Sequence, residues 1–202
     1  METLRAIVTR RSTQRFKSEV VVSEAARTDL LRAAMSAPSA NKKKPWHFLV
    51  IKDAKALEDL TVLLRERDSL QSAAMGIVVC ADNAEQRHMG QWAIDCSAAT
   101  QNLILAAHDK GLGSAWARVF PSKERMKTVG EFLRLSHHVT PFSVVFLGKP
   151  EEPLSKRAAP LEKKKVHLES WKARKVGRWR LGSRKRFRGL SRVLLDGRSE
   201  EL

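Results

Sequence analysis

The stretch 37–48, "APSANKKKPWHF", joins a predicted helix to a predicted strand. Ser23 is a suitable N-cap for a helix that runs to about Ser36, with apolar residues spaced to bury one face. The run "HFLVI", which begins at His47, is typical of a buried strand. The link between them is filled by small and turn-forming residues, lysines and a Pro-Trp pair. Connection alone does not require that composition, so the residues of the link leave its role open at this point.

The alternation of helices and strands continues on both sides of this link. Apolar runs predict three further strands in "MGIVVCA", "GSAWARVF" and "TPFSVVFLG". Amphipathic spacing predicts further helices over about 2–9, 54–67, 84–110 and 121–135, with Asp53 as an N-cap. Gly111 stands where a left-handed residue commonly ends a helix. The pattern predicts an α/β or α+β fold, a three-layer α/β/α sandwich with a long core helix over 84–110.

The chain divides by composition into a globular part, 1–171, and a basic C-terminal tail, 172–202. The net charge of the 202 residues is +16. The last 31 residues hold 11 Lys and Arg against 3 Asp and Glu, so half of the excess charge lies in the tail. Such a tail can contact phosphates, with Trp179 and Phe187 stacking on bases, or it can be a solubilising extension. Nucleic acid is not the partner that the rest of the chain predicts.

Two cysteines, Cys80 and Cys96, fit neither a zinc spacing nor a disulfide framework, so we expect buried thiols in a reducing compartment. The N-terminal residues contain no apolar signal segment. No run of about 18 apolar residues occurs, so no membrane span is expected. These features predict a cytoplasmic protein.

The usual catalytic motifs are missing from the sequence. It contains no G-x-G-x-x-G, P-loop, H-E-x-x-H or G-x-S-x-G, and its six histidines have no ligand spacing. No metal site is therefore predicted, and no catalytic side chain is assigned. If the protein is an enzyme, a bound cofactor carries the reaction.

The segment "RRSTQR", residues 10–15, follows the first predicted helix. Arginine binds phosphate through a bidentate fork, and a serine hydroxyl adds a further donor. Arg10, Arg11 and Ser12 therefore form a candidate phosphate clamp. The same residues also fit a solvated basic turn, since basic clusters often merely face water.

Four motifs together resemble the FMN-dependent nitroreductase family. They are "RRSTQRF", "APSANKKKPWHFLVI", "WAIDCSAATQNLILAAHDKGLGSAW" and "FLGKP", in the family's order and spacing over residues 3–171. The resemblance implies a mostly antiparallel central sheet and a homodimer with FMN at the subunit interface. It also implies hydride transfer from NADH or NADPH, through the flavin, to nitroaromatic, quinone or similar small-molecule acceptors.

The resemblance also implies which residues contact the cofactor. The phosphate would be held by the basic turn and a segment past the last strand, and the flavin would be bordered by the link and by the strand after Gly113. These cofactor-binding residues are Arg10, Arg11, Ser12, Gln14, Pro38, Ser39, Ala40, Asn41, Lys42, Ser114, Trp116, Ala117, Arg118, Lys156 and Arg157. Trp46 is expected to anchor the link in the core.

Three places depart from the family's usual pattern. Lys42 and Lys44 stand where an Asn and a Gln precede Pro-Trp, and Asn41 lies one residue early. Gln14 stands where a basic residue is common, and Arg118 where a glycine is common. A lysine near the flavin would favour its anionic reduced form, and Arg118 would narrow the pocket. Relatives that fragment reduced flavin or remove halogens leave two other reactions open.

Overall fold

The computed structural model describes residues 2–18, 20–66, 70, 72–83, 90–153 and 157–167. The helices are α1 (Thr3–Thr9), α2 (Glu24–Met35), α3 (Ala54–Leu63), α4 (Gln91–Asp109) and α5 (Lys123–Phe132). The strands are β1 (Trp46–Ile51), β2 (Met75–Asp82), β3 (Gly113–Arg118) and β4 (Val139–Gly148). Short 3-10 turns cover Ala40–Lys42 and Lys163–Lys165.

Within the described ranges, the four strands form one sheet in the order β1-β2-β4-β3, and all three pairings are antiparallel. The two central strands, β2 and β4, are almost entirely buried. A strand covered on both faces reads as a continuous apolar run, which is why "MGIVVCA" and "PFSVVFLG" lack alternation. β3 lies at one edge of the sheet, which leaves its outer backbone groups available.

Helices cover both faces of this sheet, so the predicted three-layer α+β sandwich is confirmed. Successive residues of β2 point to opposite faces. Ile77 and Val79 join the core beneath α2 and α4, and Val78 joins the core beneath α3 and α5. The predicted long core helix is α4, whose Cys96, Ala99, Leu103 and Ala107 are buried against the sheet.

The local signals at several helix ends are confirmed. The Ser23 hydroxyl accepts from the Ala26 N–H at 3.2 Å, and the Asp53 carboxylate accepts from the Ala56 N–H at 2.8 Å. Each bond satisfies a backbone donor that a helix start leaves unpaired. Gly111 has φ +70° just after α4, a conformation that costs glycine little.

Several predicted helix bounds were too long. α3 ends at Leu63 rather than near residue 67, because Arg65 adopts a left-handed φ of 57° and the helix cannot continue. α5 covers Lys123–Phe132 rather than 121–135, after the Ser122 hydroxyl caps its start. α4 begins at Gln91 after Gly90, and the predicted first turn at 84–89 lies outside the described residues.

The chain divides into two units, residues 1–159 and 160–202. The first contains all helices and strands named above. In the second, residues 160–167 are described and include the turn Lys163–Lys165. The predicted ordered piece at 166–171 lies mostly outside the described residues, as does the whole basic tail. Among the helices that the structure describes, none combines the length and the apolar character that crossing a bilayer requires.

Candidate functional site

The basic turn, residues 10–15, is fixed between the edge strand β3 and the end of β4. The Thr13 N–H donates to the Ser114 carbonyl at 2.9 Å, which adds the turn to the open edge of β3. Phe16 then pairs with Pro150 in an isolated bridge, and the Lys17 N–H donates to the Lys149 carbonyl at 2.8 Å. Backbone bonds on both sides thus hold this turn in place.

Gly113 permits the close approach of the basic turn to β3. A Cβ atom at this position would lie 2.7 Å from Thr13 Cγ2 and 2.8 Å from its Cβ and Oγ1. Separations below 3.0 Å are not tolerated by real Cβ atoms. Glycine is therefore required here by contact.

The Arg11 side chain fastens the turn to the segment that follows the last strand. Its Nη1 donates to the carbonyls of Val8 and Arg10 at 3.1 and 2.8 Å, and its Nη2 donates to the carbonyl of Arg157 at 2.9 Å. The Ala159 N–H also donates to the Val8 carbonyl at 2.9 Å. Arg11 and Arg157, which are far apart in sequence, therefore meet at one place.

Two clefts open beside the basic turn. The larger, about 360 Å³, lies between residues 11–15 and residues 150–153. The smaller, about 150 Å³, lies between Ser12, Gln14 and strand residues 115–117, with Glu66 and Leu70 at its side. Ser12 and Gln14 line both clefts, so the two are neighbours along one surface.

The donors of the larger cleft suit an anion. Arg11 and Arg15 bring positive charge, and Ser12 and Thr13 bring hydroxyl groups. This set can bind the oxygens of a phosphate group. The exposed Glu151 and Glu152 line the same cleft and oppose an anion there. The two arginines and two hydroxyls therefore attract an anion, and the two glutamates reduce the net positive charge of the cleft.

The backbone of β3 provides further donors beside the smaller cleft. The Ser114 carbonyl points to the outer edge, where it accepts from Thr13. Because alternate residues of a strand direct their backbone groups to the same edge, the N–H and C=O of Trp116 point outward too. The Arg118 carbonyl follows the alternation and accepts from Arg125 Nη1 at 2.9 Å. The ring of Trp116 instead packs 6.1 Å from that of Phe142.

The loop Pro38–Lys44 is held differently. Asn41, Lys42 and Lys44 all have left-handed φ values, 52°, 57° and 48°. Each such conformation is unfavourable for a residue with a Cβ and persists only where the surroundings enforce it. The Ser39 hydroxyl accepts from the Lys44 N–H at 3.1 Å and closes the loop on itself.

The side chain of Asp95 ties this loop to the core of the fold. Both oxygens of the buried Asp95 carboxylate, on α4, accept from the Ala40 N–H at 3.1 and 3.2 Å. Beyond the loop, Trp46 is 7% exposed and packs in the core beneath α2 and α4, which confirms its predicted anchoring role.

The structure brings together some of the predicted site residues and not others. The two clefts are lined by five of the predicted residues, Arg11, Ser12, Gln14, Trp116 and Ala117. Arg10, Ser114 and Arg157 line neither cleft and contact the basic turn through their backbone carbonyls. Arg118 is exposed at the end of β3. The link residues Pro38, Ser39, Ala40, Asn41 and Lys42 line neither cleft. Lys156 lies outside the described residues.

Sequence reasoning missed the residues that position this site. Asp95, Thr9, Thr13 and His108 are each buried or half-buried and hold a loop, a turn or a helix end. The available signal was a charged or polar residue beside the apolar face of a long helix, as with Asp95 next to Cys96. Cys80 and Cys96 are buried and free as predicted, and burial raises the pKa of each thiol to about 12.

Comparison with known proteins gives consistent results. The model of the nitroreductase family matches residues 7–82 and 63–149. A protein of Methanothermobacter thermautotrophicus with the provisional name NADH dehydrogenase/NAD(P)H nitroreductase is 37% identical over 171 residues, covering 85% of this chain and 88% of its own.

Solved structures show the same architecture. The crystal structure of a provisionally named NADH dehydrogenase/NAD(P)H nitroreductase from Parabacteroides distasonis has a TM-score of 0.77 at 34% identity, covering 84% of this chain and 98% of its own. An FMN-dependent nitroreductase from Clostridium difficile has a TM-score of 0.74 at 28% identity, covering 83% of this chain and 99% of its own.

Proposed function

The chain belongs to the nitroreductase family, and from that premise we propose that it passes hydride from NADH or NADPH, through FMN, to a small organic acceptor such as a nitroaromatic or a quinone. The names of its relatives include NAD(P)H nitroreductase, FMN reductase (NADPH) and FMN-dependent nitroreductase. The observation that carries the proposal is one open cleft lined by Arg11, Ser12, Thr13 and Arg15, with Arg11 bonded to the backbone carbonyl of Arg157.

The residues of this site fit FMN. Arg11 and Ser12, which line the larger cleft, would hold its phosphate, and Arg10 and Arg157 are next to Arg11 through their carbonyls. The smaller cleft continues from Ser12 to residues 115–117, so a ligand anchored at its phosphate can extend along β3. There the outward N–H of Trp116 can donate to a polar ring edge. When bound, FMN supplies the two-electron chemistry between nicotinamide and acceptor.

The protein's own part in the reaction is binding and orientation. Donors that are already fixed by backbone bonds need no rearrangement when negative charge develops near them. Thr13 holds the turn on β3, and Arg11 holds it on the segment of Arg157. No side chain is assigned a proton-transfer step, in agreement with a reaction whose protons come from water.

We infer that the active unit is a homodimer, with the loop Pro38–Lys44 completing the site of the partner subunit. Two observations support this. The loop lines neither cleft within its own copy, although its strained residues indicate a functional role. Exposed apolar side chains on α1, α2 and α4, such as Leu4, Met35 and Ile94, provide a surface that a second copy would bury. Sedimentation equilibrium would detect the dimer.

In such a dimer, Lys42 and Lys44 would bring positive charge toward the flavin ring. Both are exposed in the single chain, and their left-handed backbone fixes where their side chains leave the loop. A cation near the ring favours the anionic reduced form of a flavin. We therefore expect these lysines to raise the reduction potential of the bound cofactor.

The visible spectrum of the purified full-length chain tests the proposed function. After incubation with FMN and removal of free ligand, we expect flavin absorbance that is bleached by NADH or NADPH without oxygen and restored by a nitroaromatic or a quinone. A colourless protein would contradict the proposal. Bleaching that no acceptor in a panel of nitroaromatics, quinones and halogenated aromatics reverses would exclude the proposed acceptors.

A further inference from the structure

A buried hydrogen bond lies directly beneath the basic turn. Thr9, the last residue of α1, is 4% exposed, and His108, in the last turn of α4, is 3% exposed. The Thr9 hydroxyl oxygen is 2.8 Å from His108 Nε2 and 2.7 Å from the carbonyl of Arg5. This polar contact connects α1, which leads into Arg10, to the long core helix.

The proton positions follow from the partners. A threonine hydroxyl has one proton, and here it goes to the Arg5 carbonyl. The hydroxyl oxygen must then accept from His108, so Nε2 carries the ring proton. His108 Nδ1 is left as a bare acceptor, and no partner for it exists among the described residues. Burial, and next the Arg10 guanidinium, lower the pKa of His108, which keeps the ring neutral.

Packing alone does not account for this arrangement. A buried polar ring with one unpartnered nitrogen is a poor filler for the space between two helices, and an apolar side chain would avoid that cost. What the ring provides is a directed donor to Thr9. The structure therefore uses His108 to fix the position of the last residue of α1.

Thr9 lies, along the chain, between two of the three residues whose carbonyl groups hold the Arg11 side chain. Arg11 Nη1 donates to Val8 on one side and to Arg10 on the other, at 3.1 and 2.8 Å. A shift of Thr9 would move both acceptors and with them the guanidinium. The contact thus continues from His108 through Thr9 to the plane of Arg11.

We propose that Thr9 and His108 are positioning residues for the phosphate group of the bound flavin, acting through Arg11. This inference rests on the proposed function. Neither residue lines the two clefts, so neither is expected to touch the ligand. The ring portion of the site has separate attachments, because β3 is held by its ladder to β4 and the loop Pro38–Lys44 by Asp95.

The separation of these attachments gives a specific test. FMN and riboflavin share the same ring and side chain and differ in the phosphate. Fluorescence titration of the full-length apoprotein with each gives two dissociation constants. In Thr9→Val, which keeps the shape and removes the hydroxyl, FMN should bind about tenfold more weakly, while riboflavin binding changes less than about twofold. Thr9→Ser should restore the wild-type preference.

A second pair of variants tests the histidine. His108→Gln keeps an amide donor at a similar reach and should retain most of the preference for FMN. His108→Leu removes the donor and should reduce the preference about tenfold, as Thr9→Val does. Thermal unfolding of each variant identifies any loss of fold, and the conservative member of each pair provides the matched control.

The outcomes separate the two levels of the account. If the wild-type chain binds neither ligand, the proposed function fails and this inference fails with it. If the wild type prefers FMN and Thr9→Val and His108→Leu keep the same preference, only this inference is overturned. An equal loss of affinity for both ligands would show that the contact supports the fold alone, which also overturns it.

Discussion

The basic turn and the loop Pro38–Lys44 are held in opposite ways. The turn is fixed by several backbone bonds, from Thr13 to β3 and from Lys17 to Lys149, together with the Arg11 fork. The loop contains three left-handed residues, closes on itself through the Ser39 hydroxyl and is tied to α4 by the buried Asp95 carboxylate. A region fixed to several other segments resists the loss of any one bond better than a region whose bonds are mostly internal. The turn is suited to holding a charged group firmly, and the loop to a contact completed by a partner.

The largest effect is expected for Arg11→Ala. It removes a charged donor to the phosphate and the link between Val8, Arg10 and Arg157. FMN affinity should fall about 100-fold, since charge-assisted bonds are worth about 1.5–3 kcal/mol. Riboflavin affinity should change little. Arg11→Lys keeps the charge without the two-pronged guanidinium, so its FMN affinity should lie between those of the wild type and Arg11→Ala. Equal losses for FMN and riboflavin would contradict a phosphate role for the turn.

The next effect concerns the loop. Asp95→Ala removes the acceptor of the Ala40 N–H and should lower the free energy of unfolding by about 2 kcal/mol, as expected for a buried bond to a charged group. FMN and riboflavin should lose affinity by the same factor, because the loop is proposed to border the ring. Asp95→Asn keeps one acceptor oxygen and should lose about half as much. A change in the FMN-to-riboflavin ratio would show that the two regions are not independent.

A smaller effect tests the contact between the turn and β3. Gly113→Ala would place a Cβ 2.7 Å from the Thr13 side chain and should lower the free energy of unfolding by about 1–2 kcal/mol. Gly130→Ala, in α5 with open space around its Cβ position, should raise it by about 0.5–1 kcal/mol. Urea unfolding measures both. Equal and favourable effects would mean that Thr13 does not lie against β3.

The smallest effect is a pH dependence. Burial and then the Arg10 guanidinium hold the pKa of His108 below its ordinary 6.5, so the unfolded chain binds this proton more readily. The folded state should therefore lose stability as the pH falls below about 6.5, until the lowered pKa is passed. His108→Gln, which has no titrating ring, should lose less unfolding free energy than the wild type between about pH 7.5 and 5. Urea unfolding at each pH measures this difference. If the free energy of unfolding falls equally with pH in the two proteins, the lowered pKa of folded His108 is contradicted.

Local signals in the sequence predicted most of the fold. Ser23, Asp53 and Gly111 mark helix ends through bonds and dihedral angles that depend on a few neighbouring residues. The ends of α3 and α5 were missed, because the left-handed Arg65 and Arg134 that follow them carry no compositional signature. Local chemistry therefore predicted the presence of the helices and strands more accurately than the residues at which they end.

The site was predictable in part for the same reason. Arg11 and Ser12 form a motif whose chemistry can be recognised from the residue types. Asp95 and His108 act across long sequence separations, on Ala40 and on Thr9, and only the packing of α4 against both segments brings them there. A buried charged or polar residue in an otherwise apolar helix is the one signal that the sequence offered.

The central claim is that the basic turn binds the phosphate of FMN. Titration of the full-length apoprotein with FMN and with riboflavin, at equal pH and ionic strength, tests this claim most directly. The account predicts that FMN binds at least about 100-fold more tightly, a preference that weakens as salt screens the arginines. Equal affinity for the two ligands would contradict it.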